Sequence, residues 1–243
     1  MIIADEKKYV EDILRDGNKP SNMSIKSLIR YIARYYYDKF RDKDLNSYIR
    51  YVLDVVGMMH MSLLEYQEYR FADYTSQYCK RLRNGDFPHE LREVSEISLT
   101  EGELKIINEA VYRKERKVLF ALYALAKIYS PTLGWINCSE SDIFRCANVH
   151  ATYKEKLQIL HALYNDGLIE INHMIDKSGY HVTLVPESPV AFTSKELKDF
   201  GKQYLLLTNK DLRICPVCGK LYKDPDNSKG CCRRCASITV KSE

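Results

Sequence analysis

A chain of 243 residues with 45% hydrophobic and 29% charged residues can bury one sizeable core or two small ones, and its composition is not that of a disordered protein. The longest apolar run, Val118 to Ala126, is far too short to cross a bilayer, and Met1–Ala4 is followed at once by Asp5, Glu6, Lys7 and Lys8; neither a membrane span nor a secretory signal is expected. The formal charge of +4 is local: residues 1–100 hold 16 cations and 16 anions, residues 101–209 hold 13 of each, and residues 210–243 hold 8 against 4. Only the tail is expected to attract a polyanion by its net charge. Eight cysteines without a secretory signal fit a reducing cytoplasm, with Cys79, Cys138 and Cys146 read as buried small hydrophobes.

The first eighty residues read as helices. Asp5 to Arg15 is a short amphipathic stretch stopped by Gly17-Asn18-Lys19-Pro20. Ser24 is placed to cap a helix in which Ile25, Leu28, Ile29, Ile32, Tyr36 and Phe40 recur with the helical period, while Lys26, Arg30 and Arg34 line another face. Leu45 to Met59 and Ser62 to Leu82 give two more helices. Tyr31, Tyr35, Tyr36, Tyr37, Tyr48 and Tyr51 interleave with Arg30, Arg34 and Arg50, a mixture that forms either a stacking platform for single-stranded nucleic acid or an ordinary half-buried aromatic core.

Residues 83–99, opening with Arg83-Asn84-Gly85-Asp86-Phe87-Pro88, read as a linker. Thr100-Glu101-Gly102-Glu103 is a capping box for a helix, or a broken pair, that runs to Ser130-Pro131. Ser139 to Val149 is a short helix. Thr152 opens another that is expected to bury Leu157, Leu160, Leu163 and Tyr164 and to end at Asp166-Gly167. Two extended runs, Leu168–His173 and Tyr180–Val185, join through Asp176-Lys177-Ser178-Gly179. Helices followed by a two-stranded wing give the order of a winged helix-turn-helix. Within residues 186–209, either Thr193-Ser194-Lys195-Glu196 caps a helix to Leu207 or Ala191–Thr193 is a further strand.

The tail carries the strongest chemical signal. Cys215 and Cys218 stand as C-x2-C and, after thirteen residues, Cys232 and Cys235 repeat the spacing; Cys231 is the alternative to Cys232. Four thiolates close a tetrahedral shell around one structural Zn2+ per chain, with no open position for Lewis-acid chemistry. No HExxH, Walker loop, G-x-S-x-G or nuclease-like acidic pair occurs, so a non-enzyme is expected.

The expected architecture is mainly α. It comprises a helical N-terminal domain (1–82), a linker (83–99), a winged helix-turn-helix domain (100–186), a connector (187–209) and a small four-cysteine zinc ribbon or knuckle (210–243). On the recognition helix the outward candidates are Lys154, Lys156, Gln158 and His161, and on the wing His173, Lys177 and His181. Lys220, Lys223, Lys229, Arg233 and Arg234 are expected to add phosphate contacts from the tail. Between 152 and 185 only three cations face four acids, which also fits a protein-binding face.

The helical start with Tyr35-Tyr36-Tyr37, the winged helix, and a tail of the form C-P-x-C-G-K-x-Y…C-x-x-C together resemble proteins of phages and mobile elements of low-GC bacteria. The resemblance implies nucleic-acid handling. A cytoplasmic DNA-binding protein acting in transcription regulation or replication initiation, as a monomer or homodimer on double-stranded DNA and away from membranes, is the expectation. Its rivals are a protein-interaction module directed at a host or phage protein, and a single-strand or RNA binder using the tyrosine-rich half.

Overall fold

A computed structural model describes residues 3–59, 67–172, 179–224 and 230–239, and the chain falls into two compact units, 3–95 and 96–243. The fold is mainly helical, with small sheets.

The first unit is built from α1 (Glu6–Asp16), α2 (Ile25–Phe40), α3 (Leu45–Gly57) and α4 (Glu68–Arg83). Each of the first three starts where an oxygen-bearing side chain satisfies a free backbone N–H: Asp5 accepts from Lys8, Ser24 from Ser27, and Asp44 from Ser47. Gly17, at φ 64, closes α1 in the left-handed conformation that glycine adopts without steric cost. Val10, Ile13, Leu28, Ile29, Ile32, Val52, Val56, Cys79 and Leu82 form the core. The tyrosines join it. Tyr48 is 1% exposed and its hydroxyl donates to the Ala33 carbonyl; Tyr36 lies edge-on to Tyr35 and Tyr51, and Tyr37 stacks on His89 at 4.4 Å. Most of the tyrosines considered for a platform are therefore packed inward.

The expected linker contains ordered contacts. The Glu6 N–H donates to the Arg92 carbonyl (2.8 Å), the Arg92 N–H returns to the Glu6 carboxylate (3.1 Å), and Arg34 also pairs with that carboxylate at 3.1 Å. Its far end, 97–99, belongs to a strand. The expected start of α4 falls at Ser62, and residues 60–66 lie outside the described residues.

The second unit begins with β1 (Ile97–Thr100), α5 (Glu101–Glu109) and α6 (Arg113–Tyr129). Then come β2 (Trp135–Ile136), α7 (Glu140–Cys146), α8 (Tyr153–Asn165), β3 (Glu170–Ile171) and β4 (Tyr180–His181). It ends with β5 (Val190–Ser194), α9 (Phe200–Thr208), β6 (Leu212–Ile214), β7 (Leu221–Lys223) and α10 (Arg233–Thr239). Every residue from Val118 to Ala126 is fully buried, so α6 is the axis around which α5, α7, α8, α9, β1 and β2 pack. An apolar run of that kind marks a helix surrounded on all sides.

The capping box at Thr100 and Glu103 is present, and a second at Thr152 and Glu155 starts α8. The helix expected to run from Thr100 to Ser130 is a broken pair, interrupted at Ala110–Tyr112. Three antiparallel strands lie in the order β2-β4-β3, with Trp135 opposite His181 and Glu170 on its other side. Their ladders are only two residues long, shorter than the expected runs, and residues 173–178 lie outside the described residues.

On α8, Leu160 and Leu163 are buried as expected, but Leu157 is half-buried and Tyr164 is 41% exposed. Tyr164 lies in the last turn, where the next residues leave the helix at Gly167. The undecided stretch divides: 190–194 pairs with β1, and a helix starts only at Phe200.

Candidate functional site

The antiparallel pair β6–β7, with Leu212 opposite Lys223 and Ile214 opposite Leu221, presents Cys215–Lys220 as its tip. The Cys215 N–H donates to the Lys220 carbonyl and the Gly219 N–H to the Cys215 carbonyl, both at 2.8 Å. Gly219, at φ 67, makes this reversal without Cβ strain. That turn sets the first two thiols together. The second pair comes from Cys232, beside the first turn of α10, and Cys235 within it; the Ala236 N–H donates to the Cys232 carbonyl at 3.0 Å.

The four sulfurs of Cys215, Cys218, Cys232 and Cys235 lie within 4.8 Å of one another, and Cys218 and Cys232 are 3.6 Å apart. A thiolate cage with metal–sulfur bonds of about 2.3 Å has edges of about 3.8 Å, so these four can hold a metal ion with small adjustment. Cys231 stands outside the group.

The thiols differ among themselves. The Cys232 N–H, 3.4 Å from Cys215 Sγ, is the main influence that pulls the Cys215 thiol down to about 6, with further N–H groups of the turn assisting. Cys235 is pushed up to about 12, chiefly through its hydrogen bond with Cys218, with burial and the other two thiols contributing. Four thiolates this close would repel one another, and a divalent cation removes that conflict.

Around this cluster Lys220, Lys223, Arg233 and Arg234 are exposed, and Lys229 lies outside the described residues. Lys202 of α9 donates to the Gly219 carbonyl at 2.6 Å and ties the cysteine turn to the rest of the unit.

On α8, Lys154, Gln158 and His161 are exposed. Lys156 is half-buried, with its ammonium 5.7 Å from the centre of the Phe144 ring. It lines a hollow of about 430 Å³ between α7 and α8, together with Arg145, His150 and Asp199. His173 and Lys177 lie outside the described residues. His181 does not project freely: its side chain is 22% exposed, its ring sits 4.9 Å from that of Trp135, and Nδ1 is 3.6 Å from Glu170, beyond hydrogen-bond range.

Two exposed cations escaped the sequence reading. Arg113 and Lys114 open α6, and Lys114 lies 3.8 Å from Glu155 in the first turn of α8, so the basic start of one helix neighbours the other. The run Arg113-Lys114-Glu115-Arg116-Lys117 was the available signal. Arg116 and Lys117 are engaged elsewhere, donating to the Ala110 and Asn148 carbonyls.

Comparison with protein-family models, curated proteins and solved structures gives no match. Among the described residues no helix is long and apolar enough to cross a membrane.

Proposed function

We propose that this chain is a non-enzymatic, zinc-containing, DNA-binding protein whose second unit holds a winged helix-turn-helix. The order of elements carries the reading. α6, β2, α7, α8, β3 and β4 succeed one another with the sheet arranged β2-β4-β3, which is the connectivity of a three-helix core with a β-hairpin wing. In that arrangement α8 is the helix offered to the major groove, with Lys154 and Gln158 toward bases or phosphates and His161 further along. Arg113 and Lys114 add to the two lysines of α8.

The four thiols favour Zn2+, the usual occupant of a closed tetrahedral sulfur shell in a structural site, at one per chain. Eight cysteines, four of them grouped as metal ligands, fit a reducing, cytoplasmic setting. With the resemblance of layout, transcription control or replication initiation in a phage or mobile element is the role this supports best, as a monomer or homodimer.

A second reading has an observation of its own. Tyr153 is 72% and Tyr164 41% exposed on α8, and exposed aromatics on a weakly charged helix also suit a protein partner.

Fluorescence anisotropy of the zinc-loaded protein on random duplex, at roughly 50 and 200 mM salt, separates the two. Binding that weakens steeply with salt, and falls about tenfold or more in the double variant Arg113→Glu, Lys154→Glu, is the outcome for a DNA reader. Binding unaffected by that variant removes α8 from the interface, and no binding at the lower salt favours the protein partner.

A further inference from the structure

The first unit contains a cleft of about 630 Å³ between α2, α4 and the segment that follows α4, a size within the range of small-ligand sites. Its lining holds three arginines, Arg30, Arg34 and Arg81, and no carboxylate. Residues 1–100 carry equal numbers of cations and anions, so this grouping is a segregation of charge and not a general excess.

Internal partners account for only part of it. Arg81 pairs with Asp86 at 2.9 Å. Arg34 uses one terminal nitrogen on Glu6 and the other on the Glu90 carbonyl, while its Nε is buried without a hydrogen-bond partner. Arg30 reaches only the Ser27 hydroxyl (3.3 Å) and the Lys26 carbonyl (3.4 Å), and has no carboxylate within ion-pair distance among the described residues. One turn earlier on the same stripe, Lys26 sits 5.3 Å above the Tyr74 ring. Folding does not require such a row, because like charges one turn apart weaken a helix.

The other wall is aromatic. Tyr74 and Tyr78 are nearly parallel, 19° apart with centres at 6.3 Å, and Tyr78 and Phe87 follow at 24° and 4.8 Å. The Arg81 guanidinium lies 5.2 Å from the Phe87 ring. A row of nearly parallel π-faces beside guanidinium groups matches a ligand that is flat and aromatic at one end and anionic at the other.

We propose that this cleft is a nucleotide site, with the phosphate on Arg30 and Arg34 and the base against the ring row of Tyr74, Tyr78 and Phe87. The nucleotide is either free or one unit of a single strand; both present the same chemistry. This inference is independent of the DNA reading, which concerns residues 96–243.

The test is calorimetric titration of the intact, metal-loaded protein with adenosine 5′-monophosphate, adenosine, inorganic phosphate and a single-stranded dodecamer, each taken to about 1 mM where solubility allows. Adenosine monophosphate is expected to bind about tenfold or more tighter than adenosine or phosphate, because each of these offers only half of the match. Arg30→Glu should weaken it about tenfold or more, while Lys80→Glu, an equal charge change at an exposed position of α4 outside the cleft, should leave it within about twofold. Dodecamer binding that Arg30→Glu abolishes, without binding of the mononucleotide, assigns the cleft to a single strand. Absence of binding by both mononucleotide and dodecamer, or equal binding in Arg30→Glu and the unmodified protein, overturns the proposal.

Discussion

Glu6 stands in the first turn of α1 with 8% of its side chain exposed, and both Arg34 and Arg92 reach its carboxylate. Removing the carboxylate leaves two mostly buried guanidinium groups without their counter-charge. Glu6→Ala is therefore expected to cost about 3 kcal/mol in urea unfolding, far above a surface substitution, and a cost under about 0.5 kcal/mol would show the cluster to be incidental. Gly201 is a comparable point of dependence. A Cβ there would lie 1.6 Å from the Ala147 carbonyl oxygen, so Gly201→Ala must push α9 off the turn between α7 and α8, with an expected loss of about 3 kcal/mol read as a lowered melting temperature. At the cysteines the outcome is a stoichiometry. Cys215→Ser and Cys235→Ser should each release the metal, whereas Cys231→Ser should keep one zinc per chain by elemental analysis; loss of metal in Cys231→Ser would exchange the roles of Cys231 and Cys232.

Among the elements, α5 shows how a local motif becomes a long-range one. Glu103 is fully buried: one oxygen accepts from the Thr100 N–H at 2.9 Å, and the other accepts from the Val185 N–H and meets the Lys127 ammonium at 2.6 Å. Glu103→Ala would remove a cap, orphan an N–H and leave a mostly buried ammonium unpaired. A loss of about 3–5 kcal/mol is expected, and loss of the far-UV helical signal on mild heating would report it. The cap itself was legible in the sequence, as were the cap at Ser24, the helix start at Thr152 and the Gly167 stop, because capping depends on residues three or four apart. The four-cysteine group was legible for the same reason: its spacing is fixed by the ligand geometry. The partners Val185 and Lys127 were not; a strand over 191–193 was one of two readings of its stretch, but its pairing with β1, ninety or more residues away, was hidden. The aromatic wall facing Arg30 was also hidden, since α2, α4 and Phe87 come together only through folding, and the pattern of α2 alone pointed to tyrosines that pack inward.

The whole molecule has two cores, one in residues 3–95 and one in 96–243, with the metal ligands in the second. Heating is expected to give two calorimetric transitions, of which chelation lowers only the one belonging to the second unit; a single transition shifted as a whole would mean that the units unfold together. Alkali should act on both. Burial raises Tyr36 and Tyr78 in the first unit to about 12, and it also raises Tyr48 in that unit and Tyr123 and Tyr180 in the second. A neutral phenol favoured by folding contributes stability in full below its unfolded value of about 10, and that contribution is lost as pH rises through the folded value. Ultraviolet titration should therefore show these five phenols ionising above the ordinary phenol value of about 10, and only as the fold is lost; their ionisation at the ordinary value with the helical signal intact would contradict it. One further consequence lies in the β1–β5 ladder. Ile97 faces Ser194, so the chain enters and leaves this ladder at the same end. Tension between the two flanks loads one hydrogen bond at a time and peels the strands apart, where opposite ends would have sheared them together. The β1–β5 pair is thus a clasp that should open at low force in a pulling experiment, freeing both strands while the buried axis of α6 stays intact.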